Sequence, residues 1–296
     1  MGELTGAAYI NGEYTSAAEA KISIFDSGFI GGVAVFDTMA CWQGRLFKLP
    51  AHLARFERSA HAAMIPLPAH GEELRQIVIE TTRRSGLHDA YVQAIATRGL
   101  RPSPSAPSNE PSLIVYAVPY VWMASPEKIK TGISVIVPSV RNVSALTIDP
   151  KIKNFNRMHS HMARLEADLS GADDVVMADE RGHLTESRGA NVFLIRNSTL
   201  YTPTSGILEG ITRQTVFEIA DDLSVPAAER DLTPFDLYVA DEAFLCTTAG
   251  GIIPIIEADG RQIGCGTPGE ITRRVSDRYW ERHQSGPDTT LVYTTP

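Results

Sequence analysis

Residues 28–36 read Gly-Phe-Ile-Gly-Gly-Val-Ala-Val-Phe, and how this stretch is read decides between two fold classes. A glycine-rich turn opening a helix would signal a doubly wound dinucleotide-binding sheet. The GxGxxG spacing is absent here, and the residues after the glycines are β-branched and aromatic, the composition of a strand. Working outward, Ala8–Ile10, Lys21–Phe25, Val33–Trp42 and Arg45–Leu49 read as an antiparallel meander punctuated by Asn11-Gly12 and Gln43-Gly44. Two amphipathic helices are expected over His52–Met64, after Pro50, and Glu72–Arg84, before Gly86. Strands are expected over Ala90–Thr97 and Ser112–Pro119, joined by a Pro- and Ser-rich loop from Arg98 to Pro111.

The pattern lapses around Val121–Lys130, between Pro119 and Pro126, which reads as an interdomain linker. Beyond it come a strand (Gly132–Val137), a helix (Asn156–Ser170), strands at Asp174–Ala178 and Ala190–Ile195, and a helix from near Ile211. A strand (Glu242–Thr247) and a final helix (Thr267–Arg282) complete the chain. This mixed order predicts an α+β fold. The expected division is a small α+β domain over 1–119, a linker over 120–130 and a larger domain over 131–296.

Composition narrows the function. The chain has 296 residues, 43% apolar and 21% charged, with no apolar run long enough to span a membrane and no secretory signal pattern over residues 1–12. A cytoplasmic location is the expectation. The net charge of −8 argues against a nucleic acid or an acidic membrane as partner and favours a small-molecule ligand. Three widely spaced cysteines, Cys41, Cys246 and Cys265, fit neither a disulfide framework nor a zinc site. His159 and His161 lie two apart on a helix and do not share a face, so no metal is expected.

Lysine chemistry is restricted to six residues: Lys21, Lys48, Lys128, Lys130, Lys151 and Lys153. Lys153 lies in DPKIKNFNRMHSHMARLEA, residues 149–167, where a loop meets a helix in a partly apolar setting. Desolvation there makes an amine available for Schiff-base chemistry, although Lys151 and Lys153 read equally as solvated strand-end charges. Glu186, in LTESRGANVFLI (184–195), is placed to partner a pyridinium nitrogen, or to serve only as a turn residue. Gly210 precedes Ile211, Thr212 and a helical run, the setting in which backbone N–H groups hold phosphate. Thr247, Thr248 and Ala249-Gly250-Gly251 come after a buried strand and permit close backbone approach.

In this order, and together with ISIFDSGFIGGVAVFDT (22–38) and HLARFERSA (52–60), these segments resemble the class IV aminotransferases, the fold-type IV pyridoxal phosphate enzymes. KISIFDSGF, PYVW, DPKIKN, FLCTTAGGIIPI and the RYW ending at Trp280 are most similar to the (R)-selective amine transaminases. The resemblance implies a small α+β domain and a larger pseudo-barrel domain, pyridoxal 5'-phosphate as cofactor, and a homodimer. It implies Lys153 as the Schiff-base lysine and Glu186 as the pyridine partner. Arg55, the backbone at Ile211 and Thr212, and the Thr248 hydroxyl would hold the phosphate, and Thr247 and Ala249 would face the substrate.

Departures bear on the substrate. Gly31 and Phe36 stand where the (R)-amine enzymes carry His and Tyr, so Phe36 removes a pocket hydroxyl. Arg157 and Arg188 add guanidiniums that would suit a carboxylate-bearing substrate, or point away into surface ion pairs. Arg101, in the 98–111 loop, is the candidate for a mobile arginine that binds the acceptor carboxylate. The expected reaction is transfer of an amino group from an amine or amino acid, of (R)-amine, D- or branched-chain type, to pyruvate or 2-oxoglutarate. The alternative within the same fold is an aminodeoxychorismate lyase.

Overall fold

The computed structural model describes residues 4–103, 106 and 110–293. Contacts group the chain into two units. The first runs to Val121 and takes in residues 152–156 and the chain from Arg282 onward; the second comprises Trp122–Lys151 and Arg157–Glu281. Residues 152–156, assigned from the sequence to the larger domain, thus group with the first unit.

In chain order the first unit holds β1 (Ala7–Ile10), β2 (Glu13–Ser16), a short α1 (Ser27–Gly31), β3 (Ala34–Trp42), β4 (Arg45–Phe47), α2 (Leu49–Ala62), α3 (Gly71–Ser85), β5 (Ala90–Thr97) and β6 (Ser112–Pro119). The second unit continues with α4 (Pro126–Thr131), β7 (Ile133–Ile136), α5 (Met158–Ser170), β8 (Asp174–Val175), β9 (Asn191–Arg196), β10 (Thr199–Thr202), α6 (Ile211–Asp222), β11 (Ala227–Glu229), α7 (Pro234–Tyr238), β12 (Glu242–Thr247), β13 (Gly251–Ala258) and β14 (Arg261–Gln262). The chain closes with α8 (Glu270–Gln284) and β15 (Thr289–Leu291).

The first unit is one antiparallel sheet, ordered β15-β4-β3-β5-β6-β1-β2, with α2 and α3 packed on it. Val35 and Met39 of β3, Val92 of β5 and Val115 of β6 meet Leu49, Leu53 and Phe56 of α2 and Leu74 and Val78 of α3 in a dry core. Helical spacing puts Leu49, Leu53, Phe56 and Ala60 on one stripe of α2, all buried. Pro50 in its first turn costs no hydrogen bond there, because the N–H it lacks has no intrahelical partner. Gly86 ends α3 at φ 69°, a left-handed conformation natural to glycine.

The second unit is a mixed sheet, ordered β11-β10-β9-β12-β13-β7-β8, with β14 paired to β13. β9, β12 and β13 run antiparallel, while β7 pairs parallel with β13 and with β8. Val192, Leu194, Leu245, Ile253 and Ile255 fill its core. Phe193 of β9 stacks on Phe244 of β12, with ring centroids 5.2 Å apart.

Three expectations change. Lys21–Phe25 forms no strand, and Ile24 and Phe25 are exposed. Asn11 (φ 49°) and Gly12 (φ 104°) make a two-residue turn, which hands the edge of β1 to the adjoining Glu13–Ser16. Residues 27–31 form a helical turn, capped by the Asp26 carboxylate at the Gly28 N–H and stopped by Gly32 at φ 64°. Within the expected linker, the Ser125 hydroxyl accepts from the Lys128 N–H and starts α4.

Candidate active site

On the first unit, residues 152–156 lie antiparallel against the start of β3. Asn154 bridges Val35, the Phe36 N–H donates to the Lys153 carbonyl at 2.9 Å, and the Lys153 N–H donates to Ser59 Oγ of α2 at 3.2 Å. The backbone of Lys153 is therefore fixed on both sides. Its Nζ lies 4.6 Å from the centroid of the Phe36 ring, which in turn packs against Phe155 at 4.5 Å. A buried ion cluster sits on the other face of β3. Asp37 is fully enclosed, accepts Nε and Nη2 of Arg55 at 2.8 Å each, and is bonded to Nδ1 of His52 at 2.7 Å. His52 and Arg55 are three apart on α2 and so share the face it turns to the sheet.

Burial alone would raise the Asp37 carboxyl. The Arg55 charge and the hydrogen bonds from His52 and Arg55 outweigh it and hold Asp37 well below the usual carboxylate range. His52 is pushed down, chiefly by burial, despite its bond to Asp37. Arg55 thus reaches its position with one edge of its guanidinium committed to Asp37. Arg101 is half-buried, and its N–H donates to the Phe25 carbonyl at 2.9 Å. Five residues of its loop, 104, 105 and 107–109, lie outside the described residues.

On the second unit the chain turns sharply between Glu186 and Asn191, which bridge each other, and the Ser187 N–H closes the turn onto the Ala190 carbonyl at 2.8 Å. Glu186 Oε2 accepts from Asn191 Nδ2 at 3.1 Å and from the Leu208 N–H at 3.0 Å. Two donors on one oxygen favour the ionised carboxylate. Just beyond Leu208, Gly210 caps α6 with no side-chain hydrogen bond, so the N–H groups of Ile211 and Thr212 open the helix without a side-chain cap. Thr247, at the end of β12, donates its hydroxyl to the Gly189 carbonyl at 2.9 Å and accepts from the Ala249 N–H at 3.3 Å. The 186–191 turn is therefore tied to Leu208, two residues before the cap of α6, and to Thr247 at the end of β12.

Asp174 Oδ1 holds that turn from below, accepting from Ser187 Oγ and Arg188 Nε, each at 3.1 Å. Arg188 is accordingly tied to a buried carboxylate. Arg157 stands at the start of α5 and helps lower His159, whose main perturbation is burial. Among the described residues, no group of His, Cys, Asp and Glu is placed to hold a metal, and no helix is long and apolar enough to cross a membrane.

Asp37, His52 and Asn191 are not picked out by the sequence patterns. An acid inside the apolar run VAVFDTMA, together with a His-x-x-Arg pair on the next helix, is the signal that could have found the first two.

Each unit by itself carries groups whose chemistry fits part of pyridoxal phosphate. On the first, the Lys153 amine is of the kind an aldehyde takes. On the second, the hydrogen-bonded Glu186 carboxylate is of the kind a pyridinium takes, and the N–H groups of Ile211 and Thr212 at a helix start are of the kind a phosphate takes. Residues 34–258 match the family described as amino-transferase class IV. The chain is 34% identical over 275 residues to a putative branched-chain-amino-acid aminotransferase of Methanocaldococcus jannaschii, covering 92% of this chain and 94% of the relative. It is 30% identical to a D-alanine aminotransferase of Staphylococcus haemolyticus, covering 92% and 95%. The crystal structure of the branched-chain amino acid aminotransferase from Thermobaculum terrenum in its PLP-bound holo-form superposes with a TM-score of 0.89 at 28% identity, over 99% of this chain and 100% of that one. With matching sequence and two-sheet α+β architecture, the chain belongs to the class IV aminotransferases and is a pyridoxal phosphate-dependent aminotransferase.

Proposed function

We propose that the chain transfers the amino group of a branched-chain aliphatic amino acid to a 2-keto acid, 2-oxoglutarate or pyruvate, with Lys153 as the residue bonded to the cofactor. The observation that carries the substrate class is the pair of aromatic rings beside the Lys153 amine: Phe36, 4.6 Å from Nζ, with Phe155 packed against it at 4.5 Å. Such an aromatic surface accepts a hydrocarbon side chain. The branched-chain aminotransferases among the relatives support the same class and do not favour the lyase alternative.

Bound pyridoxal phosphate supplies an electron sink for the carbanion formed beside the substrate nitrogen. The remaining work falls to side chains. The neutral amine of Lys153 is the form able to take the proton from the substrate carbon and return it at the next atom of the path. The Glu186 carboxylate holds the proton on the pyridine nitrogen. On the second unit the N–H groups of Ile211 and Thr212 and the hydroxyl of Thr248 would receive the phosphate; on the first, the guanidinium of Arg55, fixed by Asp37, is a further phosphate-binding group. Thr247 and Ala249 face the substrate. Of the three arginines considered for the substrate carboxylate, Arg101 is preferred over Arg157 and Arg188, because Arg188 already serves Asp174. We infer a homodimer, supported by the exposed apolar residues Ile24, Phe25, Phe29 and Ile30. We infer a cytoplasmic location from the three widely spaced cysteines of the sequence, which fit no disulfide framework.

The test is a donor panel with 2-oxoglutarate and pyruvate as acceptors: L-valine, L-leucine, L-isoleucine, D-alanine and both enantiomers of 1-phenylethylamine. The branched-chain L-amino acids should give the highest kcat/KM. Faster turnover of (R)-1-phenylethylamine would move the enzyme to the (R)-amine class, and faster turnover of D-alanine to the D-amino acid class.

A further inference from the structure

Asn191 opens β9, is 5% exposed, and commits both N–H bonds of its amide nitrogen. One goes to Glu186 Oε2 at 3.1 Å, and the other to the Leu208 carbonyl at 3.0 Å. Leu208 returns its own N–H to the same Glu186 oxygen at 3.0 Å. The three residues therefore close a ring of hydrogen bonds around a single carboxylate oxygen. On its other side the amide touches the start of α6: a Cβ added at Gly210 would sit 2.0 Å from Asn191 Oδ1. The glycine is what lets the amide and the helix start approach so closely.

The chemistry permits no other small polar residue to do this. Its two partners, a carboxylate and a carbonyl, are both acceptors, so the group between them must offer two donors. Aspartate would set a second carboxylate against Glu186, and serine has a single proton to give.

We propose that Asn191 is a positioning residue for the cofactor: it keeps Glu186 ionised and aimed, and it locks that carboxylate to the turn that opens α6. The group partnering the pyridine nitrogen and the N–H groups receiving the phosphate are then held in one fixed relation. This rests on the assignment of Glu186 and α6 to pyridoxal phosphate made above. Asn191 acts through Glu186 and need touch neither substrate nor cofactor.

A double-mutant cycle of Asn191→Ala and Glu186→Gln tests it, read as the affinity of the apoprotein for pyridoxal phosphate by absorbance titration. Losing a hydrogen bond to a charged group should weaken cofactor binding by about tenfold or more in the Asn191→Ala protein. In the Glu186→Gln background the same change should cost far less, because the charge it served is gone. Asn191→Asp keeps the side-chain volume and provides a second variant should the alanine protein fold poorly. Relative to wild type at each pH, its cofactor affinity should be lowest at pH 8 and recover towards acid, as the added carboxyl takes a proton and regains a donor. Wild-type affinity in Asn191→Ala overturns the proposal, as does an equal loss in both backgrounds, and as does a pH-independent ratio for Asn191→Asp. Failure of the underlying site assignment looks different: Glu186→Gln alone would then leave cofactor affinity and absorbance unchanged.

Discussion

Replacing Asp37 with Asn should destabilise the first unit selectively. The substitution keeps the shape of the side chain and removes its charge, leaving the Arg55 guanidinium enclosed with only a neutral acceptor where a carboxylate took two bonds at 2.8 Å. Breaking a buried pair by removing one partner costs about 3–5 kcal/mol, against a whole-domain stability of about 5–15 kcal/mol. Even the lower figure is about a hundredfold in the equilibrium constant. The assay is hydrogen exchange of the α2 and β3 amides with urea unfolding followed at Trp42, which lies in the first unit, and the amides of β9 and β12 as the internal reference. Amides of α2 should exchange about a hundredfold faster while those of β9 and β12 hold. Acidification gives a second reading. His52 is depressed, so the unfolded chain takes up a proton first as pH falls below about 6.5, and stability declines from there. Asp37 is depressed too, and its contribution, complete above about pH 4, is lost as pH falls below that. Asp37→Asn should therefore flatten the limb below about pH 4 and keep the one set by His52. A loss under about 1 kcal/mol, well short of the buried-pair range, or an unchanged acid limb, would refute the reading of Asp37 as the charged anchor of Arg55.

Glu186→Gln should lower kcat strongly with a smaller loss of cofactor affinity, as for an interaction felt most in the transition state; equal kcat in the two proteins counts against the pyridine-partner role. Arg101→Ala should weaken kcat/KM for the keto acid by about ten- to a hundredfold while sparing an uncharged amine in single-turnover reaction. An equal loss for both would indicate general damage, and no loss for either would shift the carboxylate contact to Arg157 or Arg188.

Much of the scaffold was legible because its central strands carry long β-branched and apolar runs. Ala90–Thr97, Ser112–Pro119 and Glu242–Thr247 have the same bounds in sequence and structure. Lys21–Phe25 shows why periodicity alone is insufficient. Ile22 and Ile24 alternate like a strand, but a strand needs a free edge, and the tight turn at Asn11-Gly12 has already given that of β1 to Glu13–Ser16. β10 and β11 are four and three residues long, too short for any period to register. The polar anchors were hidden for a different reason. Asp37 gains its meaning from His52 and Arg55, 15 and 18 residues away, and Asn191 from Leu208, 17 residues away. Those distances close only after the chain folds. Residues with a local signature, such as Lys153 at a loop-to-helix junction or Gly210 before α6, could be singled out from sequence; the buried polar anchors Asp37, His52 and Asn191 were not.

The chemistry turns on which lysine carries the cofactor. Borohydride reduction of the holoenzyme with peptide mapping of the product measures this directly. The pyridoxyl label should fall on the peptide containing Lys153 and on no other, and Lys153→Ala should lose both the label and turnover while still binding the cofactor non-covalently. A label on Lys21, Lys48, Lys128, Lys130 or Lys151 would contradict it.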